Sequence, residues 1–104
     1  MNKSISILIF SFLVSIVSFS QSFKVTGKVT DSETGEILAG TNIIEKVSGN
    51  ALSTDGNGYF SFNLKKGNAL FLFTYIGYRD TSINIKINRD TVLNVKMTSS
   101  SLEA

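Results

Sequence analysis

From Phe23 onward the apolar residues recur at every second position, with Phe23, Val25 and Val29 alternating against Lys24, Thr26, Lys28 and Thr30. That period predicts a half-buried strand. Asp31-Ser32-Glu33-Thr34-Gly35-Glu36 then breaks the pattern as a turn, because Asp and Ser side chains bond their own backbone and Gly35 tolerates positive φ. Residues 41–46 predict a second strand and 51–54 a short third. The third runs into Asp55-Gly56-Asn57-Gly58, the strongest hairpin signal in the chain. In the next strand Phe60, Phe62 and Leu64 point one way and Tyr59, Ser61 and Asn63 the other, so one face packs and one is wet.

Lys65-Lys66-Gly67-Asn68 turns the chain again, and residues 69–76 are nearly continuous Leu and Phe. Such a run predicts a central strand covered on both faces, or covered by a partner. Thr81, Ile83, Ile85 and Ile87 alternate with Ser82, Asn84, Lys86 and Asn88. Asn88-Arg89-Asp90 then turns into residues 91–97, where Leu93, Val95 and Met97 supply an inner face. Seven short strands without a convincing amphipathic helix predict an all-β fold of two antiparallel sheets packed face to face. The expected core is Val25, Val29, Ile43, Phe60, Phe62, Leu64, Leu70, Leu72, Ile83, Ile85, Leu93 and Val95. Proline is absent, which leaves Lys24, Lys28, Lys86 and Lys96 to discourage edge pairing.

The first twenty residues follow another rule. Met1 to Lys3 is a short positive start, residues 5–19 are rich in Ile, Leu, Val and Phe, and Ser18 and Ser20 stand at the −3 and −1 positions before Gln21. This is the pattern of a cleavable signal peptide over residues 1–20. A membrane anchor fits less well, since Ser6, Ser11, Ser15 and Ser18 interrupt a run already short of the ~20 apolar residues that span a bilayer. About 80 residues remain, room for one small domain. We expect the domain over residues 21–97 and a polar linker or tail over 98–104.

Composition narrows the chemistry. Cys and His are both absent, which removes disulfides, thiolate or imidazole zinc sites, a Cys nucleophile and any Ser/His/Asp triad. It also removes a lipidated N-terminal Cys. Net charge is +2, about +1 once Lys3 is gone, far short of what phosphate binding requires, so nucleic acid is not expected as a partner.

Three constellations merit weighing. Asp55-Gly56-Asn57-Gly58 resembles half of a calcium loop, but loop position 12 is Lys66 rather than Glu, and a turn explains the same residues. Asp31, Glu33 and Glu36 could converge on a metal or act as acid and base, yet acidic residues in a surface turn are usually solvated or cap the backbone. Gly77-Tyr78 suggests a bulge with a Tyr hydroxyl sent to a backbone group. Its functional alternative is a sugar contact by Tyr59, Tyr75 and Tyr78 against the bland reading of core aromatics. No catalytic, cofactor or metal residue is assigned, and no cofactor is expected.

The order of motifs is more specific than any one turn. Val25-Thr26-Gly27-Lys28-Val29-Thr30-Asp31, then Gly35, Leu38 and Gly40, then Thr54-Asp55-Gly56-Asn57-Gly58-Tyr59-Phe60, then Phe73-Thr74-Tyr75-Ile76-Gly77-Tyr78 resembles the carboxypeptidase regulatory-like domain, from Phe23 to about Met97. The resemblance implies a seven-stranded antiparallel Greek-key β-sandwich of the transthyretin (prealbumin) kind. One departure is the lack of the family's prolines around Gly35 to Gly40, where Ile37 and Ala39 stand, so packing of Leu38 and the flanking glycines must hold that turn.

The family commonly extends the N-terminus of TonB-dependent outer-membrane receptors, and Leu102-Glu103 sits where such receptors pass into a Leu-Glu-Glu-Val-Val-type segment before the plug. The resemblance therefore implies a non-catalytic accessory module, exported to the periplasm. It would associate with the outer membrane through a receptor plug and barrel, either in trans or as its continuation. In isolation it would be a monomer, without a membrane span after signal cleavage. The competing reading is a free-standing secreted module that binds carbohydrate or a surface. An enzyme is not expected, since the carboxypeptidase catalytic domain that carries this module is far larger and binds zinc through His.

Overall fold

The computed structural model describes residues 21–103. The expected leader over residues 1–20 lies outside the described residues. Eight strands appear in the order β1 Ser22–Asp31, β2 Asn42–Glu45, β3 Ala51–Ser53, β4 Tyr59–Lys65, β5 Gly67–Thr74, β6 Thr81–Ile87, β7 Thr91–Val92 and β8 Val95–Met97, followed by a 3-10 turn at Ser100–Glu103. The all-β sandwich read from the alternation is present. One sheet runs β3-β2-β5-β6, antiparallel throughout. The other is built on β1, which pairs antiparallel with β4 on one side and parallel with β7 and β8 on the other.

The layers meet through phenylalanines. Phe60 of β4 stands edge-on to Phe73 of β5 at 5.7 Å between ring centroids, and Phe62 to Phe71 at 5.3 Å. These are favourable aromatic geometries that also bury large area. Val25, Val29, Ile43, Phe60, Phe62, Leu64 and Val95 are buried as expected.

Several expectations change. Residues 91–97 do not form one strand, because the chain breaks at Leu93-Asn94 between β7 and β8, and both pieces run parallel to β1. There Leu93 N donates to Thr26 O at 2.7 Å, and Asn94 Oδ1 replaces a backbone acceptor for Lys28 N. Gly27 permits the approach, since a Cβ at that position would lie 1.8 Å from Leu93 O.

Leu70 and Leu72 leave the core list. The inner face of β5 is Ala69, Phe71 and Phe73, with both phenylalanines fully buried, while Leu70 and Leu72 are half-buried on the outside. Both sets are apolar, so periodicity could not choose between them. Ile83, Ile85 and Leu93 are only partly buried, whereas Leu38, Ile87 and Met97 are core. Asp55-Gly56-Asn57-Gly58 is a turn, but not a hairpin, because β3 and β4 lie in different sheets. Lys24 and Lys28 guard no edge, since they project from β1, which is paired on both sides. Leu38, 4% exposed, does anchor the turn without prolines, with Gly35 and Gly40 at φ 75° and 78°.

Candidate functional site

Each residue weighed for chemistry has a definite place. Asp55 Oδ1 accepts the amides of Asn57 and Tyr59, both at 2.9 Å, so this carboxylate is consumed by its own turn. Asp31, Glu33 and Glu36 do not converge. Glu33 and Glu36 are exposed, while Asp31 is buried at the end of β1. Asp31 Oδ1 accepts the amides of Glu33 and Thr34 at 2.7 and 3.0 Å, the backbone-capping role expected of it, but in the interior and not at the surface. Its Oδ2 accepts the Tyr78 hydroxyl at 2.5 Å. The Tyr78 hydroxyl thus goes to a carboxylate rather than to the backbone.

The pair shifts both groups. The Tyr78 hydrogen bond, with the Thr34 and Glu33 amides, holds the Asp31 carboxyl below its ordinary 3.8. The same bond, with burial and the Asp31 charge, pushes Tyr78 up to about 12. The corner behind Tyr78 also receives the start of the segment expected as a polar linker or tail. Ser100 N donates to Gly77 O at 2.9 Å, Arg79 N to Thr98 O at 2.9 Å, and Tyr78 and Ser99 form an isolated bridge.

Glu45 is a buried acid that the sequence reading missed, 1% exposed at the end of β2. Its Oε1 accepts Ser48 N, and its Oε2 accepts Val47 N and, across the sheet, Leu70 N. Burial pushes this carboxyl up, but the Ser48 side chain and the three amides outweigh it and leave it below the usual 4.5. The signal was a Glu placed two and three residues before turn amides, the same local pattern as Asp31. Among the described residues no group of three or more acids could hold a metal ion.

Tyr75 and Tyr78 meet at 5.6 Å between ring centroids and are partly buried, whereas Tyr59 stands elsewhere. Tyr59 is 52% exposed on the outer face of the β1 sheet, and Lys28 Nζ lies 5.4 Å from its ring centroid, a cation–π contact. Lys24, Lys28, Lys65 and Lys96 share that face by strand alternation and register, with Thr26, Ser61, Asn63, Val92 and Asn94 between them. Two shallow hollows of about 400 and 430 Å³ adjoin Tyr59, Val92 and Asn94. Among the described residues no helix is long and apolar enough to cross a membrane.

Known proteins share this architecture and sequence. The CarboxypepD_reg-like domain family matches residues 25–104. The chain is 32% identical over 98 residues to TonB-dependent receptor P3 of Formosa agariphila, covering 90% of the chain and 10% of that receptor. It is 30% identical over 93 residues to TonB-dependent receptor SusC of Bacteroides thetaiotaomicron, covering 89% of the chain and 9% of that receptor. The chain thus spans about a tenth of the length of these relatives. Among solved structures, a type II cohesin–X-dockerin complex from Acetivibrio cellulolyticus superposes with a TM-score of 0.64 at 20% identity, covering 72% of this chain and 56% of that one. A DUF3823 family protein from Bacteroides ovatus gives 0.61 at 16% identity, covering 76% and 44%. The latter two likenesses concern the fold alone. Sequence order, sandwich and match extent agree: the chain belongs to the CarboxypepD_reg-like domain family.

Proposed function

We propose that this chain is a non-catalytic accessory module of a TonB-dependent outer-membrane receptor, acting through protein contacts in the periplasm after removal of a leader over residues 1–20. The observation that carries this reading is the 32% identity extending over 90% of the chain against a tenth of a receptor. The engagement of the carboxylates of Asp31, Glu45 and Asp55 in internal hydrogen bonds supports a structural rather than a catalytic use of them.

Fractionation of cells expressing the chain alone, and together with its receptor in trans or as a covalent continuation, tests the reading. We expect outer-membrane retention only when the receptor is present, and mass spectrometry of the exported protein should find Gln21 at the N-terminus. Equal retention in both cells would overturn the receptor role. An N-terminus still at Met1 would overturn the leader.

A further inference from the structure

We propose that the outer face of the β1 sheet binds a polyanionic glycan, a linear chain of acidic sugars laid across β4, β1 and β8. This goes beyond the receptor-module reading and does not depend on it. The net charge of +2 hides how charge is distributed: Lys24, Lys28, Lys65 and Lys96 all project from this one face. Two carboxylates stand nearby, Asp90, whose Oδ1 accepts Lys24 N, and Asp55, whose Oδ1 accepts two amides of its turn; both keep their negative charge, and the four lysines outnumber them. The face presents lysines spaced along the sheet, with the Cα atoms of Lys24 and Lys28 about 13 Å apart at the strand rise. Such a field favours a polyanion.

The kind of polyanion follows from what lies between the lysines. A peptide captured through its backbone pairs with a sheet edge, and an acidic peptide held by its side chains is met by clustered arginines, whereas this face carries lysines. Lys24 and Lys28 stand on a strand already paired on both sides, so a ligand that reaches them must lie on the face and be read by side chains. Tyr59 and Val92, 52% and 72% exposed, offer apolar surface to the C–H side of a sugar ring. Ser61, Thr26 and Asn94 beside them supply hydroxyl and amide partners for sugar hydroxyls. The hollows flanking Tyr59 give the ring places to sit. Lysines pair with carboxylates as mobile point charges, suited to a flexible polymer.

Isothermal titration calorimetry of the purified chain with polygalacturonate, neutral dextran and poly-glutamate tests the proposal. Binding to polygalacturonate alone is expected, weakened roughly tenfold by Lys24→Gln/Lys28→Gln together. Tyr59→Ala should weaken it without any change of charge, and Lys24→Arg/Lys28→Arg should retain it. Thermal melts of each variant establish that the fold survives, and the arginine pair separates loss of charge from loss of structure. No binding to polygalacturonate overturns the proposal. So does equal binding of poly-glutamate with Tyr59→Ala indifferent, the behaviour of a surface for acidic protein. Loss of binding in the arginine pair would also overturn it. None of these results bears on receptor-dependent retention at the outer membrane, which fractionation decides separately.

Discussion

Asp31 and Tyr78 tie together segments 47 residues apart, and their protonation states make the tie visible in solution. Asp31 titrates below its ordinary value in the folded chain, as does Glu45, so each contributes stability that is present above the unfolded pKa. That stability disappears as pH falls through the folded pKa. Tyr78 is raised from 10.0 to about 12, so its contribution is complete below pH 10 and fades as pH climbs from 10 to 12. Denaturant melts across pH should therefore weaken below about pH 4 and again between about 10 and 12. Tyr78→Phe should lower stability at neutral pH and flatten the alkaline limb. An unchanged alkaline limb in that variant would refute the bond. Gly27 is the other residue on which geometry turns. Gly27→Ala drives a methyl group into the Leu93 carbonyl, an overpacking that should cost about 1–3 kcal/mol in a urea melt and loosen β7 and β8 from β1.

Alternation identified the elements because one face of each strand meets the opposing sheet. Phe60, Phe62 and Leu64 against Tyr59, Ser61 and Asn63 left no ambiguity. In β5 the two faces are Ala69, Phe71, Phe73 and Leu70, Leu72, both apolar, and cross-strand register with Ile43 and Glu45 decides between them. Phe71→Ala should accordingly destabilise by about 3–5 kcal/mol, as should Phe62→Ala, and both by clearly more than Leu72→Ala. Equal losses at Phe71 and Leu72 in thermal melts would contradict the register. The Asp55 turn was legible as a turn, since the Asp and Gly requirements are local. That it joins two sheets was not, because sheet membership is fixed by partners distant in sequence. The same reason hid Asp31: its turn announced a cap, while Tyr78, which completes its environment, lies 47 residues downstream between β5 and β6.

At the scale of the molecule the sandwich has open edges at β3 and β6 in one sheet and, in the other, at β4 on one side and β7 and β8 on the opposite side. Short β3 and the charge of Lys86 on β6 limit unwanted pairing there. The two outer faces differ in kind: Ile44, Leu70 and Leu72 give one an apolar cast, and the lysines give the other a cationic one. Family membership was legible from motif order alone, because glycine and turn positions record the topology even where identity to solved folds is low. The lysine face was not, since each lysine read singly is an ordinary solvated side chain and only the strand register gathers the four.

Parallel pairing sets a clock on the folding of the chain. The side chains that close β1 come from 66 residues downstream in each case, Asp90 for Lys24, Asn94 for Lys28 and Thr98 for Ser32. The first strand to leave the ribosome is therefore the last to be completed. Contacts so remote in sequence cost closure entropy before they repay it and make folding slow. A chain ending at residue 90 lacks Val95 and Met97 from the core and leaves one edge of β1 bare. It should show no cooperative thermal transition by circular dichroism, and a sharp melt would refute this order of events. Until Val95 and Met97 are made, the sandwich stays unsealed along one side of its opening strand, like a box whose lid is cut from the last of the timber.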